Sequence, residues 1–191
     1  MPRVVSVYFP QFSTERIRRN AGQALPADKP LVVVARSGSK RWISGADPTA
    51  LKLGLRIGMP ASKAQAMVAD LLMVDAAPAE DAAAVERLAL WALRQYSPVV
   101  AVDGADGLVM DTEGADHLQG GEDLLLSGLV NRLRSHGLTA RAALADSWGA
   151  AHALARLLSA ETTIVPVGGV TMAVIDLPVV ALRLPAETVQ G

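Results

Sequence analysis

Runs of β-branched and aliphatic residues punctuate this chain, and between them apolar positions recur every three to four residues, the two periodicities of a mixed α/β protein. The first run, Arg3-Val4-Val5-Ser6-Val7-Tyr8-Phe9, predicts a buried strand that Pro10 stops, because proline cannot donate to a central ladder. A short helix is expected over 13–20. Leu31-Val32-Val33-Val34-Ala35 predicts a second strand, with Trp42-Ile43-Ser44 folding back on it as a hairpin across a basic turn. Asp47-Pro48 sets an N-cap acceptor before a first-turn proline, so a small helix begins there and stops at Leu53-Gly54. Another helix follows over 60–68, then a strand over 71–74.

Downstream the helical period lengthens. Val85, Leu88, Ala92 and Tyr96 mark one face of a helix over 79–96, with Glu80 and Asp81 at its electropositive start and Pro98 at its end. Strands are expected over 99–102 and 108–110, then a helix over 122–136 with Leu126, Leu129, Val130 and Leu133 on one stripe and Gly137 as its stop. A strand over 139–145 leads to Ser147, which caps a helix carrying Ala151, Leu154, Ala155 and Leu158. With 10–75 set aside as an α/β insertion of small elements, the order is β-α-β-β-α-β plus a helix, an α+β ferredoxin-like arrangement. From Pro166 the chain begins another helical unit and ends at Gly191 before a covering helix appears, which reads as part of a longer chain.

Composition narrows the chemistry. The 191 residues are 51% hydrophobic and 19% charged, enough for a packed core. The absence of cysteine removes disulfides, thiolate zinc sites and cysteine nucleophiles, and suits a reducing cytoplasm. No run reaches the roughly 18 apolar residues of a membrane span, so a soluble cytoplasmic protein with no membrane partner is expected. The net charge of −1 hides an asymmetry: residues 1–75 hold 11 Lys/Arg against 5 Asp/Glu, and residues 76–191 hold 7 against 14. A basic half of this kind is expected to face a polyanion or simply water.

Chemistry concentrates in the hairpin of strands 99–102 and 108–110, whose link is Asp103-Gly104-Ala105-Asp106-Gly107. Two adjacent carboxylates at such a turn would suit Mg²⁺, and a two-metal centre needs several. Here the adjacent pair is Asp106-Gly107. Strand alternation places Asp106 and Gly107 on opposite sides, so Asp103, Asp106 and Asp111 need not converge. The three histidines are scattered, and neither a nucleophile elbow nor a phosphate loop is present. His152 is expected to be packed or solvated, and Trp42 to be a core residue rather than a base-stacking one.

Three motifs stand in order: Gly54-Leu55-Arg56-Ile57-Gly58-Met59-Pro60, Gln95-Tyr96-Ser97-Pro98-Val99-Val100, and Gly104-Ala105-Asp106-Gly107-Leu108-Val109-Met110-Asp111. Together they resemble the fingers motif, the lead-in and the Ser-Ile-Asp-Glu-Ala-Phe-Leu-Asp palm signature of Y-family translesion DNA polymerases. Four further stretches resemble the polymerase-like members of that family found in bacterial mutagenesis cassettes: Tyr8-Phe9-Pro10-Gln11-Phe12, the 103–107 link, His117-Leu118-Gln119-Gly120-Gly121-Glu122, and Ala181-Leu182-Arg183-Leu184-Pro185-Ala186-Glu187-Thr188.

The resemblance implies a palm over 1–9 and 76–160, inserted fingers over 10–75, and the start of a thumb over 161–191. It implies that Tyr8 and Gly107 stand where active members have metal-binding carboxylates, leaving Asp106. It also puts Pro48 and Leu51 at nucleotide-contacting fingers positions, and Trp148 and His152 at a palm lysine pair. The implied role is a catalytically silent scaffold in DNA-damage-induced mutagenesis, without metal or cofactor. Its implied partners are DNA, a RecA-like accessory protein, an error-prone DnaE-type polymerase, and the sliding clamp through a region beyond residue 191. Arg36, Lys40, Arg41, Lys52, Arg56 and Lys63 are the candidate DNA-facing cations. An active polymerase with a relocated metal site, and a protein adaptor that never touches DNA, are the competing expectations.

Overall fold

The computed structural model describes residues 2–178 and residue 181, and packing divides it into two units: Met1–Pro10 with Val85–Gly191, and Gln11–Ala84. Much of the tail, including most of the 181–188 motif, lies outside the described residues.

The first unit is built on β1 (Val4–Tyr8), a run with both neighbours in place. Antiparallel partners flank it: β6 (Gly107–Asp111) on one side and β7 (Arg141–Ala145) on the other. β5 (Val99–Val102) pairs antiparallel with β6, and β8 (Thr162–Ile164) pairs in parallel with β7, giving the order β5-β6-β1-β7-β8. Without β8 this is the ferredoxin-like order expected from the sequence. β8 is an addition that the sequence reading did not contain.

Cross-strand register sorts the side chains. Val5 and Val7 oppose Met110 and Leu108 on one side and Leu144 and Ala142 on the other, so one apolar row crosses three strands. All six of these residues are buried. α5 (Glu122–Ser135) packs beside β7 and buries Leu125, Leu126, Leu129, Val130 and Leu133. Gly137, with φ +73°, ends that helix as expected. The opposite face carries Ala143 and Ala145, which α6 (Trp148–Leu157) covers with Ala150, Ala151, Leu154 and Ala155. Small residues on both surfaces let helix and sheet approach closely. The Ser147 side chain accepts from Ala150 N–H (3.4 Å) and caps α6. α7 (Val170–Val174) follows and packs its Val170, Ala173 and Val174 on the same cluster.

The second unit holds α1 (Phe12–Ala21), β2 (Leu31–Ser37), β3 (Lys40–Ala46), α2 (Pro48–Lys52), α3 (Ala61–Met67) and β4 (Leu72–Asp75). β2 is central, antiparallel to β3 and parallel to β4. Val32, Val34 and Ile43 pack against Ala50, Leu55, Ala61 and Ala64, while Leu31 and Val33 face Ile17. Asp47 is the buried keystone of this unit. Its carboxylate accepts from Ala50 N–H (2.7 Å) to cap α2, from Leu31 N–H (3.1 Å), and from Arg18 (2.6 Å). The glycine motif runs along β3, with Ile43 N–H donating to Met59 (2.9 Å) and Gly58 N–H, at φ +85°, donating to Ile43 (2.8 Å). α4 (Pro78–Gln95) contains the point at which the chain passes from the second unit to the first.

A buried cation ties the far end of the first unit's sheet. Arg3 donates to both Glu122 oxygens (2.6 and 2.8 Å), to Asp146 (2.6 Å) and to the Val165 carbonyl (2.9 Å). The Gly168 N–H and, next, Arg3 hold the Asp146 carboxyl below its usual range. Arg3→Met removes the cation from Glu122 and leaves Asp146 with its Gly168 N–H bond alone, so it is expected to lower the urea midpoint at neutral pH. A depressed folded pKa stabilises above the unfolded value and ceases to do so as pH falls through the folded one. The gap between the two proteins in urea titrations therefore narrows as pH drops below about 4.

Candidate functional site

The link between β5 and β6 is a tight turn closed by Asp103 N–H donating to the Gly107 carbonyl (2.9 Å), with Gly104 at φ +73°. The segment before it is anchored too. Tyr96 is buried edge-on against Trp91, and the Ser97 hydroxyl donates to the Asp111 carbonyl while accepting from Val99 N–H (3.0 Å). β1 runs beside the turn: Phe9 N–H donates to the Asp106 carbonyl (2.8 Å), and Tyr8 sits opposite Gly107 and Arg141.

α6 supplies the remaining side chains. His152 and Arg156 are one turn apart on it and both reach the link. His152 Nδ1 lies 2.6 Å from Asp103 Oδ2, and both residues are buried. The Trp148 ring meets His152 edge-on, with centroids 6.0 Å apart. Arg156 Nη2 donates to Asp106 Oδ1 (2.8 Å) and to the Asp103 carbonyl (3.2 Å); Nη1 lies 3.5 Å from Asp103 Oδ2. The guanidinium also covers the Tyr8 ring, 4.8 Å from its centroid. Asp103, Asp106, Tyr8, His152 and Arg156 thus form one contact group.

Its electrostatics follow from burial. Desolvation, with a further push from Asp106, raises the Tyr8 phenol above its ordinary range, against pulls from Arg156 and Arg141. Tyr8 therefore contributes no anion at neutral pH. Gly107 has no room for a side chain: an added Cβ would lie 2.9 Å from Arg156 Nη2 and from the Asp103 and Val7 carbonyls. Asp106 already spends an oxygen on a guanidinium. The neutral phenol, the bare backbone at Gly107 and the resident guanidinium leave few free carboxylate oxygens at this turn, where a two-metal centre would need several.

Asp103, Asp106 and Asp111 do not converge as a set of three, though two of them do meet. Asp103 and Asp106 meet on Arg156, because Asp106 precedes β6 and escapes strand alternation; Asp111 stays exposed at the strand's other end, bonded to Glu113 N–H (2.9 Å). His152 is packed, as expected. Trp42 is half-buried on β3, its backbone bridged to Pro60.

The six basic residues all lie in the second unit and are all exposed. Arg36 faces Arg41 across the β2–β3 hairpin, beside Lys40. Lys52 on α2, Arg56 in the glycine loop and Lys63 on α3 belong to the layer covering the Val32, Val34 and Ile43 face of that sheet. Two are engaged locally: Arg41 with Asp75 (3.3 Å), and Arg56 with the Leu51 and Leu55 carbonyls (both 2.8 Å).

A family model described as impB/mucB/samB matches residues 7–159. The chain belongs to that family. The Y-family resemblance carried by the three ordered motifs is thereby borne out. Two relatives of this impB/mucB/samB member, each called Protein ImuB, come from Caulobacter vibrioides strains NA1000 / CB15N and ATCC 19089 / CIP 103742 / CB 15. Each is 51% identical over 132 residues, 69% of this chain. The chain spans 28% of their length. Among solved structures, the insertion ternary complex of Dbh DNA polymerase is similar with a TM-score of 0.77 at 20% identity, covering 96% of this chain and 54% of that one. The post-insertion binary complex of Dbh gives 0.78 at 21% identity, covering 95% and 56%. DinB from Sulfolobus solfataricus gives 0.69 at 21% identity, covering 85% and 48%. At these identities the likeness establishes the fold.

Sequence reasoning missed Arg156 in this family member, and with it the burial of the Asp103 carboxylate against α6. The signal was available in the four-residue spacing of His152 and Arg156, which puts an imidazole and a guanidinium on one helical face opposite an acidic link. Among the described residues no group of three or more His, Asp or Glu gathers as metal ligands would. Gly107→Ala is expected to cost about 2 kcal/mol, since two of the three colliding atoms are backbone and cannot swing away. The measurement is a urea midpoint, lowered without change in slope.

Proposed function

We infer that this chain is the polymerase-like part of a non-catalytic scaffold in DNA-damage-induced mutagenesis, one that contacts DNA and helps organise an error-prone polymerase. The observation that carries this is Arg156 seated on Asp106 over the Tyr8 phenol, a guanidinium among the groups that would have to present carboxylates to metal. In this reading residues 1–9 and 76–160 act as palm, 10–75 as fingers and 161–191 as the start of a thumb. Tyr8 and Gly107 are degenerate positions of the metal site, and Asp106 is its remnant. The relatives' name, ImuB, supports a place in a mutagenesis cassette, and with it a cytoplasmic setting and partnership with a RecA-like protein, a DnaE-type polymerase and the sliding clamp. No helix among the described residues is long and apolar enough to cross a membrane.

Arg36, Lys40 and Arg41 supply the first DNA contacts, with Lys52, Arg56 and Lys63 extending them. Exposed cations of this sort bind phosphates without reading sequence, and their affinity falls as salt displaces them. Such a surface suits a scaffold that must sit at any lesion.

Primer extension with Mg²⁺ or Mn²⁺ is the decisive experiment. No template-dependent incorporation is expected, and incorporation by the pure protein would overturn the reading. Binding to a primer-template, titrated with salt, tests the DNA contact separately. Replacing Arg36, Lys40 and Arg41 together by alanine should flatten the log–log salt slope by up to about 3. Negligible binding by the parent protein at low salt would favour an adaptor that works through protein contacts alone.

A further inference from the structure

We propose that Arg156 is a resident cation that does for the Asp103–Asp106 link what a divalent ion would otherwise do, making this turn independent of metal. The proposal rests on the non-catalytic reading above and deepens it: the site is not merely short of ligands, its positive charge is supplied by the chain.

Four observations carry it. The link places two carboxylates three residues apart, and the Asp103 side chain is only 4% exposed, so its charge needs compensation inside the protein. His152 satisfies one Asp103 oxygen, but nothing on β1, β5 or β6 offers Asp106 a cation; the guanidinium from α6 does, at 2.8 Å. Arg156 Nη1 is buried without a hydrogen-bond partner yet faces Asp103 Oδ2 at 3.5 Å, so this nitrogen is held there by charge rather than by a directed bond. Finally, Gly107 and Tyr8 are shaped to the guanidinium. A Cβ at 107 would collide with Nη2, and the Tyr8 ring offers its face to Cζ.

The choice of cation follows from hydration. Mg²⁺ keeps several waters and near-octahedral geometry, so a divalent ion would need the space and the carboxylate oxygens that the guanidinium occupies. A guanidinium is planar, weakly hydrated and able to stack, so it tolerates this dry side while its fork reaches two acceptors. The link thereby keeps a fixed geometry whatever the surrounding divalent concentration.

Removing the guanidinium should expose the dependence it replaces. Arg156→Gln keeps much of the side-chain volume and loses the charge; in EDTA its Tm is expected to fall by about 5 °C. Adding Mn²⁺ should restore most of that loss and leave the parent unchanged, and paramagnetic resonance should show Mn²⁺ taken up by the variant alone. Arg156→Lys retains a charge and should stay insensitive to Mn²⁺. Asp106→Asn combined with Arg156→Gln removes the stranded anion, so it should be more stable in EDTA than Arg156→Gln alone and lose the Mn²⁺ response. An Arg156→Gln protein whose Tm ignores Mn²⁺, or a double variant no more stable than the single, would overturn the proposal and make Arg156 a packing residue. That failure leaves the primer-extension result untouched, whereas incorporation by the parent would sink the non-catalytic reading without any of these variants.

Discussion

The first unit depends on the pairing of β1 with partners from two distant parts of the chain. Val5 and Val7 must find Leu108 and Met110 on one side and Ala142 and Leu144 on the other, and a one-residue slip would turn Ser6 and Tyr8 into the apolar row. The two ends of β1 are then closed by opposite chemistry. Arg3 brings a cation to Glu122 and Asp146 from α5 and the start of α6. Tyr8 offers a ring to a cation arriving from the end of α6. The strand's register therefore fixes two charge clusters at once, and the hairpin cluster can be displaced only by moving the central strand of the sheet.

Much of this arrangement was legible because local and long-range signals agreed. Val85 and Ala92 are buried on the helix whose period announced them, with Tyr96 buried just past its end, and Asp47 and Ser147 cap the helices that their positions predicted. β8 was not legible. Thr162-Thr163-Ile164 is three residues long, shows no alternation, and becomes a strand only because β7 has a free edge and Arg3 bonds the Val165 carbonyl beside it. That is tertiary context overriding a weak local preference.

The hairpin site was half legible. Motif order located the link, and the phenol at Tyr8 and the bare backbone at Gly107 could be read residue by residue. The cation beside them could not, because a basic residue in the last turn of a helix has an ordinary explanation as a partner for the carbonyl end of the dipole. Only the placement of α6 across β1 and β7 turns Arg156 from a helix-end charge into the counter-charge of Asp103 and Asp106. The carboxylate of Asp103 was not legible for a similar reason: an aspartate before a glycine turn usually serves its own backbone, whereas this one is buried against His152.

Clustered carboxylates awaiting metal are a stability cost, since like charges repel until an external ion arrives. The groups around this turn show the opposite economy. A phenol kept neutral by burial, a glycine packed against three heavy atoms and a guanidinium shared between two aspartates leave little charge unbalanced. Each group also depends on the others. A carboxylate at position 107 would drive its Cβ into two carbonyls, and one at position 8 would lose the ring on which Arg156 rests. An arrangement stabilised this way couples positions 8, 107 and 156, because a substitution at any one of them removes packing or charge on which the other two rely.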